Sequence, residues 1–288
     1  MKNKAVWFRE STVPGKRYGK IEHAFFIEKT LLQNTSPFQD ILVFESDVYG
    51  KMLVLDQIVQ FSESDEFIYH EMLTHPILLS HAAPKTILII GGGDGGTLRE
   101  CLRHDPEEVI LVDIDKEVID ISKEYFPDIS QGAFDDTRVT IHHENGKDFI
   151  TGYKDYFDLI IVDCGDPMGP SLVLFESMFY TDVFNALKKD GMAAFQIGSF
   201  LDRSFIMETY ATLANLFLSV SPFRLTMPSY HCGEYCFMGA SKKIDLHRVT
   251  ERQLTEKFES LQSRHLFRYY SPRIHKAAQT IPAYLNPI

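Results

Sequence analysis

The stretch Thr86-Ile-Leu-Ile-Ile-Gly-Gly-Gly-Asp-Gly-Gly96 decides the fold of this chain. Its first five residues are a continuous apolar run, which is typical of a strand buried on both faces of a parallel sheet. Five glycines in the next six positions cannot continue that strand, and a segment with helical spacing follows them. A buried strand, a glycine-rich turn and a helix predict the first unit of a nucleoside-binding α/β domain.

Similar apolar runs recur further along the chain. They are Val109-Ile-Leu-Val112, Leu159-Ile-Ile-Val162 and Met192-Ala-Ala-Phe-Gln-Ile197, with helical stretches between them. This alternation predicts a mostly parallel, Rossmann-like sheet with helices on both faces. Ligands in such sheets bind at the carboxyl ends of the strands, so the residues that follow each strand are candidates for a site.

The first part of the chain has a different pattern. Short strand-like segments such as Asp40-Ile-Leu-Val-Phe-Glu-Ser46 and Lys51-Met-Leu-Val-Leu55 are separated by turn residues, which predicts a small antiparallel sheet. Asp65 then precedes a helical pattern and is a candidate N-cap. We therefore predict an N-terminal β domain over residues 1–64 and a Rossmann-like catalytic domain over residues 65–288.

Composition narrows the functional class. The chain has 288 residues and a formal net charge of −11, which argues against nucleic acid as a partner and fits a cationic small substrate. No apolar run reaches the roughly 20 residues that span a bilayer, so no membrane association is expected. The first ten residues lack the apolar segment of a signal peptide.

The four cysteines, Cys101, Cys164, Cys232 and Cys236, are too scattered for a disulfide framework. Cys232 and Cys236 beside His231 are a weak zinc signal, because a second pair of ligands is missing. Free thiols in a reducing, cytoplasmic setting are the favoured interpretation.

The glycine loop alone does not identify the ligand. Gly91, Gly93 and Gly96 fit G-x-G-x-x-G, and Asp113 ends the next strand where an acid can hold ribose, so NAD and S-adenosylmethionine both remain candidates. Asp94 lies inside the loop and would repel a pyrophosphate by about 1–4 kcal/mol at ~4 Å. The same carboxylate would attract the ammonium of decarboxylated S-adenosylmethionine, which has no carboxylate of its own.

A second motif, Asp163-Cys-Gly-Asp-Pro-Met-Gly-Pro170, follows another strand. Its prolines and glycines predict a rigid loop that presents Asp163 and Asp166 at the ligand edge of the sheet. A turn whose aspartates cap the local backbone is the alternative. A carboxylate there could accept the proton of a primary amine, whose pKa of about 10.4 otherwise keeps it from attacking at pH 7.

Taken with other segments, these motifs resemble the spermidine synthase family over nearly the whole chain. The matching segments are Trp7-Phe-Arg-Glu10, Gln39-Asp-Ile-Leu-Val-Phe44, Asp65-Glu-Phe-Ile-Tyr-His-Glu71, His75-Pro76, the glycine loop, Asp163 to Pro170, Pro228-Ser-Tyr230, Arg268-Tyr-Tyr-Ser-Pro272 and Ile274-His-Lys-Ala-Ala277. The resemblance implies a transferase that moves an aminopropyl group from decarboxylated S-adenosylmethionine to a diamine, without a metal or other cofactor. It also implies a homodimer or homotetramer.

The resemblance further implies a role for each matching residue. Asp163 would be the general base, Asp166 would hold the attacking amine, and Asp94 would bind the ammonium of the donor. The nucleoside would be bound by Gln39, Gly91, Gly93, Asp94, Asp113, Asn145, Gly146 and Pro170. The amine channel would be lined by Tyr69, His70, Gln196 and Tyr230, with Trp7 at its far end.

Three positions depart from the family pattern. Asp113 stands where Glu is usual, Asn145 where Asp is common, and Gly165 where Ser or Thr is usual. These changes leave the reaction class intact and bear on donor affinity and on the acceptor. Putrescine is the default acceptor, with agmatine, cadaverine or spermidine as alternatives. A non-catalytic polyamine-binding protein is the remaining alternative.

Overall fold

The structure is a computed structural model that describes residues 6–11 and 21–283, so the first five residues of the segment assessed for a signal peptide lie outside it. Two antiparallel sheets form the N-terminal part. A two-stranded sheet pairs β1 (Trp7–Ser11) with β2 (Glu22–Phe26), and a four-stranded meander follows as β3 (Lys29–Thr35), β4 (Asp40–Ser46), β5 (Gly50–Leu55) and β6 (Ile58–Ser62). The predicted small antiparallel β domain is confirmed.

The meander is buried on the face that meets the rest of the molecule. Ile41 and Val43 of β4 alternate with the half-buried Leu42, as expected for a strand with one buried face. Ile41 and Val43 belong to the same apolar cluster as Phe126 and Ile129, which lie beyond the glycine loop in the sequence. This packing fixes the N-terminal sheet against the larger domain.

Helix α1 (Glu66–Ser80) connects the two parts and is buried along almost its whole length. Asp65 occupies the N-cap position as predicted, but its side chain does not cap the helix. The carboxylate instead accepts hydrogen bonds from Ser62 Oγ at 2.7 Å and from the Ser229 backbone N–H at 2.8 Å. Asp65 therefore holds the segment around Ser229 against the start of α1.

The central sheet has seven strands in the order β12-β13-β11-β10-β7-β8-β9. Their bounds are β7 (Thr86–Gly91), β8 (Glu108–Val112), β9 (Val139–His142), β10 (Phe157–Asp163), β11 (Leu187–Ser199), β12 (Ser219–Thr226) and β13 (Glu234–Ser241). The five adjacent strands β11, β10, β7, β8 and β9 are parallel to one another. At one edge, β13 pairs antiparallel with β11, and β12 pairs antiparallel with β13. The prediction of a mostly parallel, Rossmann-like sheet is confirmed.

Helices cover both faces of this sheet. Beyond α1 they are α2 (Gly96–Leu102), α3 (Lys116–Tyr125), α4 (Pro127–Ser130), α5 (Gly146–Ile150), α6 (Ser177–Ala186), α7 (Arg203–Ala214), α8 (Glu251–Gln262) and α9 (Pro272–Ala278). Alternate residues of β7 enter different apolar clusters, Ile87 and Ile89 on one face, Leu88 and Ile90 on the other. Because both faces are buried, the strand is apolar at every position, which is the feature that identified it in the sequence.

The order of the strands in the central sheet determines where a ligand site is expected. The chain adds β8 and β9 on one side of β7 and β10 and β11 on the other, so the direction of winding reverses at β7. Doubly wound sheets bind ligands in the crevice at this reversal, outside the carboxyl ends of the strands. The glycine loop after β7 and the acidic loop after β10 are neighbours there, because Gly91 pairs with Asp163 in the ladder.

Candidate active site

A cavity lies at the carboxyl ends of the parallel strands, between the central sheet and the N-terminal meander. It is lined by fourteen of the fifteen residues that the sequence predicted, namely Gln39, Tyr69, His70, Gly91, Gly93, Asp94, Asp113, Asn145, Gly146, Asp163, Asp166, Pro170, Gln196 and Tyr230. Residues from both domains therefore contribute to one site.

Two glycines are required by close approaches at the base of this cavity. Gly91 has φ +82°, and a Cβ there would lie 2.0 Å from the Asp163 carbonyl oxygen. A Cβ on Gly96 would lie 2.3 Å from the His70 ring. Any side chain at either position would therefore push the glycine loop away from the acidic loop or from α1.

Asp163, at the end of β10, is held by three contacts and is 7% exposed. Tyr69 Oη donates to its Oδ1 at 2.7 Å, Thr97 Oγ1 donates to its Oδ2 at 2.6 Å, and Gly92 N–H donates to its carbonyl oxygen at 2.8 Å. Burial and the neighbouring Asp94 carboxylate raise the pKa of Asp163 to about 6. Asp163 is therefore a carboxylate at neutral pH that accepts a proton more readily than an ordinary aspartate.

Asp94 faces the cavity from the glycine loop and is held through one oxygen. Its Oδ1 accepts from Gly96 N–H at 2.7 Å and lies 3.2 Å from His70 Nε2, which leaves Oδ2 available to a ligand. Burial opposes ionisation, but the His70 imidazole and the Gly96 N–H lower the pKa of Asp94 below its ordinary value. The glycine loop therefore presents a fixed negative charge to the cavity.

His70 lies between two carboxylates. Its Nε2 faces Asp94, and its Nδ1 is 2.6 Å from Glu66 Oε2, one turn earlier on α1. Burial opposes protonation, but Asp94 and Glu66 raise the pKa of His70 to about 10. His70 is therefore an imidazolium at neutral pH that orients Asp94 and balances part of the local negative charge.

Glu66 and Arg99 complete this network and were missed by the sequence analysis. Arg99 Nη2 donates to Glu66 Oε2 at 3.0 Å, and Arg99 Nη1 donates to the Ile129 carbonyl oxygen at 2.5 Å. Both side chains are nearly completely buried. The i, i+4 spacing of Glu66 and His70 on a helix was the available signal for this pairing.

His70, Asp94 and Asp163 could hold a metal ion by distance alone, since one ligand atom of each lies within 4.8 Å of the others. Both ring nitrogens of His70 already face carboxylates, and Asp163 accepts two side-chain hydroxyl groups. Metal binding would require a neutral imidazole nitrogen as the ligand. The donor set therefore suits a protonated network or a ligand ammonium better than a metal.

One end of the cavity, called the nucleoside end because the sequence predicts a nucleoside there, is built on residues that follow β8. Asp113 Oδ1 accepts from Asp115 N–H at 2.9 Å, and burial raises the pKa of Asp113 to about 6. Asp115, which the sequence analysis missed, accepts from Gln39 Nε2 at 2.8 Å and from Ser36 Oγ at 2.6 Å. This pairing brings Gln39 from the N-terminal meander to the nucleoside end.

Asn145 and Gly146 begin α5 at the same end. Asn145 is the N-cap residue, and its Oδ1 accepts from Lys147 N–H at 2.9 Å. A Cβ on Gly146 would lie 2.3 Å from the Ile90 side chain, so glycine keeps α5 close to β7. One lone pair of the Asn145 oxygen is therefore used by the helix, and its carboxamide presents less negative charge to a ligand than a carboxylate would.

Aromatic and amide groups form the other end of the cavity, called the amine end because the sequence predicts the amine channel there. Tyr235 Oη lies 3.4 Å from Asp166 Oδ1 and accepts from Gln196 Nε2 at 2.5 Å. Gln196 Oε1 is buried without a hydrogen-bond partner among the described residues, which leaves an acceptor for a ligand N–H. The rings of Tyr69, Tyr230 and Tyr235 pack edge to face or tilted with centroids 5.0–6.3 Å apart.

Trp7 is the predicted site residue that the structure does not place on this cavity. It is 49% exposed, and its ring packs edge to face against Phe26 at 5.6 Å. Its contact with a substrate stays a prediction. Glu10, Gln60, His231 and Tyr235 also line the cavity and were not among the predicted site residues.

The cysteines are free thiols in the described residues, as predicted. Cys236 is buried in the core, whereas Cys232 is exposed and lies 2.8 Å from Ser199 Oγ. The weak zinc signal of these two residues therefore has no geometric support.

Comparisons with known proteins identify the family of this chain. The family model of the spermine/spermidine synthase domain matches residues 66–253, and the model of the spermidine synthase tetramerisation domain matches residues 6–63. The polyamine aminopropyltransferase of Hamiltonella defensa is 37% identical over 99% of this chain and 97% of its own length. That of Caldicellulosiruptor saccharolyticus is 38% identical over 98% of each chain.

Solved structures give the same result. A crystal structure of spermidine synthase in complex with the transition-state analogue AdoDATO superposes with a TM-score of 0.90 and 33% identity, over 97% of this chain and 93% of the other. Spermidine synthase from Thermotoga maritima gives a TM-score of 0.87 and 32% identity, over 97% and 92%.

The fold and the comparisons thus define a group-transfer enzyme. The chain belongs to the spermine/spermidine synthase family and is an aminopropyltransferase. The match to a tetramerisation domain indicates an oligomer. Among the described residues, no helix has the length and apolar character needed to cross a membrane.

Proposed function

We propose that this enzyme transfers the aminopropyl group of decarboxylated S-adenosylmethionine to putrescine, giving spermidine and methylthioadenosine. The observation that carries the proposal is the charge of the cavity. Six carboxylates line it, those of Glu10, Asp56, Asp94, Asp113, Asp163 and Asp166, and within the described part of the chain no lysine or arginine does. Such a cavity favours a donor and an acceptor that are both cations, and disfavours a pyrophosphate or a carboxylate.

The donor would lie with its nucleoside between Asp113 and Asn145, and its aminopropyl ammonium against Asp94. Gln39, Gly91, Gly93, Gly146 and Pro170 would surround the nucleoside. The carboxylate of ordinary S-adenosylmethionine would meet the Asp94 carboxylate, which would weaken its binding. The His70 imidazolium supports this discrimination because it keeps Asp94 ionised and fixed in orientation.

The reaction would be a direct displacement. The lone pair of the acceptor nitrogen attacks the carbon beside sulfur, the carbon–sulfur bond breaks, and its electron pair neutralises the sulfonium. Asp163 takes the proton that the nitrogen loses, while Asp166 and Gln196 orient the amine. Freeing an amine of pKa about 10.4 at pH 7 costs roughly 4–5 kcal/mol, so a nearby carboxylate with a pKa of about 6 contributes directly to the rate.

No metal or further cofactor is needed in this proposal, because the sulfonium already activates the leaving group. Putrescine is the proposed acceptor on the family resemblance, and agmatine, cadaverine and spermidine share its chemistry of two or more cationic nitrogens. We further propose a homodimer or homotetramer in the cytoplasm, which fits the tetramerisation match and the free cysteines of the described residues.

The test is a product assay by mass spectrometry. The protein would be incubated with decarboxylated S-adenosylmethionine and an equimolar mixture of putrescine, cadaverine, agmatine and spermidine. The proposal predicts methylthioadenosine together with aminopropylated putrescine as the main product. A different aminopropylated amine would overturn the acceptor assignment alone. Absence of every product, with methylthioadenosine still bound, would instead indicate a polyamine-binding protein.

A further inference from the structure

Thr97 is a buried hydroxyl residue to which the reaction above gives no role. It lies in the first turn of α2, directly after the glycine loop, and is 0% exposed. Its Oγ1 donates to Asp163 Oδ2 at 2.6 Å, across 66 positions of the sequence. Thr97 is not among the described residues that line the cavity, so it reaches the site only through Asp163.

The hydroxyl of Thr97 is directed away from its own helix. A threonine on a helix commonly donates to the carbonyl oxygen four residues earlier, as Thr255 does to Glu251 at 2.9 Å. Thr97 has no helical residue at that position, because the glycine loop precedes α2. Its β-branched side chain has few allowed χ1 angles, so the backbone of α2 determines where the hydroxyl points. Gly96, which lies against the His70 ring, fixes the start of that backbone.

The carboxylate of Asp163 is held from two sides. Tyr69 of α1 donates to Oδ1 and Thr97 of α2 donates to Oδ2, so each oxygen has one hydroxyl donor. The χ2 angle of an aspartate is otherwise broadly distributed, and a single donor would leave the plane of the carboxylate free to turn about that contact. An ionised carboxylate has about four lone pairs, so each oxygen can still accept a substrate proton. The two donors together therefore set the direction in which the remaining lone pairs face.

The charges around Asp163 show what the hydroxyl contributes. Burial and the Asp94 carboxylate raise the pKa of Asp163 to about 6. The His70 imidazolium and the hydroxyls of Thr97 and Tyr69 act in the opposite direction. Burial raises the pKa of the other titratable neighbours, which are therefore neutral at pH 7, namely Cys101, Cys164 and Tyr230. Without the hydrogen bond from Thr97, the pKa of Asp163 would rise further, and less of its proton-accepting form would be present at neutral pH.

We propose that Thr97 is a positioning residue for aminopropyl transfer, whose hydroxyl holds Oδ2 of Asp163 so that the carboxylate meets the acceptor amine ionised and in a fixed orientation. This inference rests on the proposed function, in which Asp163 is the general base. Thr97 itself contacts neither substrate. Its hydroxyl therefore affects the proton-accepting step and not the binding of the nucleoside.

The pH profile of kcat/KM for the amine, measured with saturating donor, tests this role. Thr97→Val keeps nearly the same shape and removes the hydroxyl. We expect its acid limb to lie about one pH unit higher than in the unmodified protein, and its rate at pH 8.5 to be about three- to tenfold lower. Its affinity for methylthioadenosine should change less than about twofold. An acid limb at the same pH as in the unmodified protein would overturn the inference, whatever the loss of rate.

Two further variants separate this role from packing. Thr97→Ser keeps a hydroxyl and should retain the acid limb of the unmodified protein. Thr74→Val makes the same change at a threonine of α1 that is equally buried and whose Oγ1 has no hydrogen-bond partner among the described residues, so it should leave the profile unchanged. A shift in Thr97→Ser or in Thr74→Val equal to that in Thr97→Val would show a packing effect and overturn the inference.

Thr97→Ala covers the case in which Thr97→Val does not fold. It also lacks the hydroxyl, so its acid limb should move in the same direction, and an unmoved limb would again contradict the role of Thr97. Failure of the proposed function shows separately, as a lack of aminopropylated product from the unmodified protein.

Discussion

The two ends of the cavity are built in different ways. At the nucleoside end, the side chains follow strands of the central sheet and are held by backbone groups two residues away, as Asp113 is by Asp115 N–H and Asn145 by Lys147 N–H. At the amine end, the contacts join distant segments, as between Tyr69 and Asp163 or between Tyr230 and Gln60. Apart from Gln39, which Asp115 holds from a distant part of the chain, the nucleoside end is therefore specified locally, whereas the amine end depends on the completed fold.

The largest effect is expected at Asp163, the proposed general base. Asp163→Asn removes the proton acceptor and should lower kcat by about 10²–10⁴-fold. It should change the affinity for methylthioadenosine by less than about twofold, because Asp163 is not among the residues proposed to bind the nucleoside. Steady-state kinetics and calorimetry measure the two quantities, and Asp148→Asn on the exposed face of α5 is the matched control.

The same variant should not lose stability. The folded-state pKa of Asp163 is raised to about 6, so its contribution favours unfolding increasingly as pH rises from about 4 through 6 and remains unfavourable above that. Asparagine removes this buried charge, and we expect an equal or higher melting temperature at pH 7.5. A marked drop in melting temperature together with loss of nucleoside binding would show that Asp163 is structural rather than catalytic.

The pH dependence of the reaction gives a further test of Asp163 as the base. With donor saturating, kcat/KM for the amine should fall about tenfold per pH unit below about pH 6, where Asp163 becomes protonated. The acid limb of kcat should lie at lower pH, because the bound cationic amine favours the carboxylate. A profile of kcat/KM that stays flat down to pH 5 would contradict the assignment of Asp163 as the base.

A smaller effect is expected at the nucleoside end alone. Asn145→Asp supplies a charged acceptor where the family commonly has one, and we expect donor affinity to improve about three- to tenfold with kcat unchanged. Aspartate is as good an N-cap as asparagine, so α5 should not lose stability. Calorimetry with the donor checks this, with Asn185→Asp at an exposed position of α6 as control. Weaker donor binding would show that the Asn145 carboxamide is used as a hydrogen-bond donor.

This contrast explains what could be predicted from the sequence. The strands, the glycine loop and the acidic loop carry local signals, so the sheet and the positions of Asp94, Asp113 and Asp163 follow from patterns of a few residues. Glu66 has a local signal only for its i, i+4 pairing with His70, because its other partner, Arg99, is brought close by the tertiary fold, as is His231 beside Glu10. Trp7, which the resemblance places near the amine, packs on Phe26, and its contact with a substrate stays a prediction.

The central claim is that the carboxylates of the cavity select a cationic donor, and Asp94 tests it most directly. Calorimetric titration would compare decarboxylated S-adenosylmethionine, S-adenosylmethionine and NADH on the unmodified protein and on Asp94→Asn. The account predicts at least a tenfold preference for the decarboxylated donor, which Asp94→Asn reduces to about twofold or less, and no detectable binding of NADH. Equal affinity for the two sulfonium compounds in the unmodified protein, or binding of NADH in their place, would contradict it.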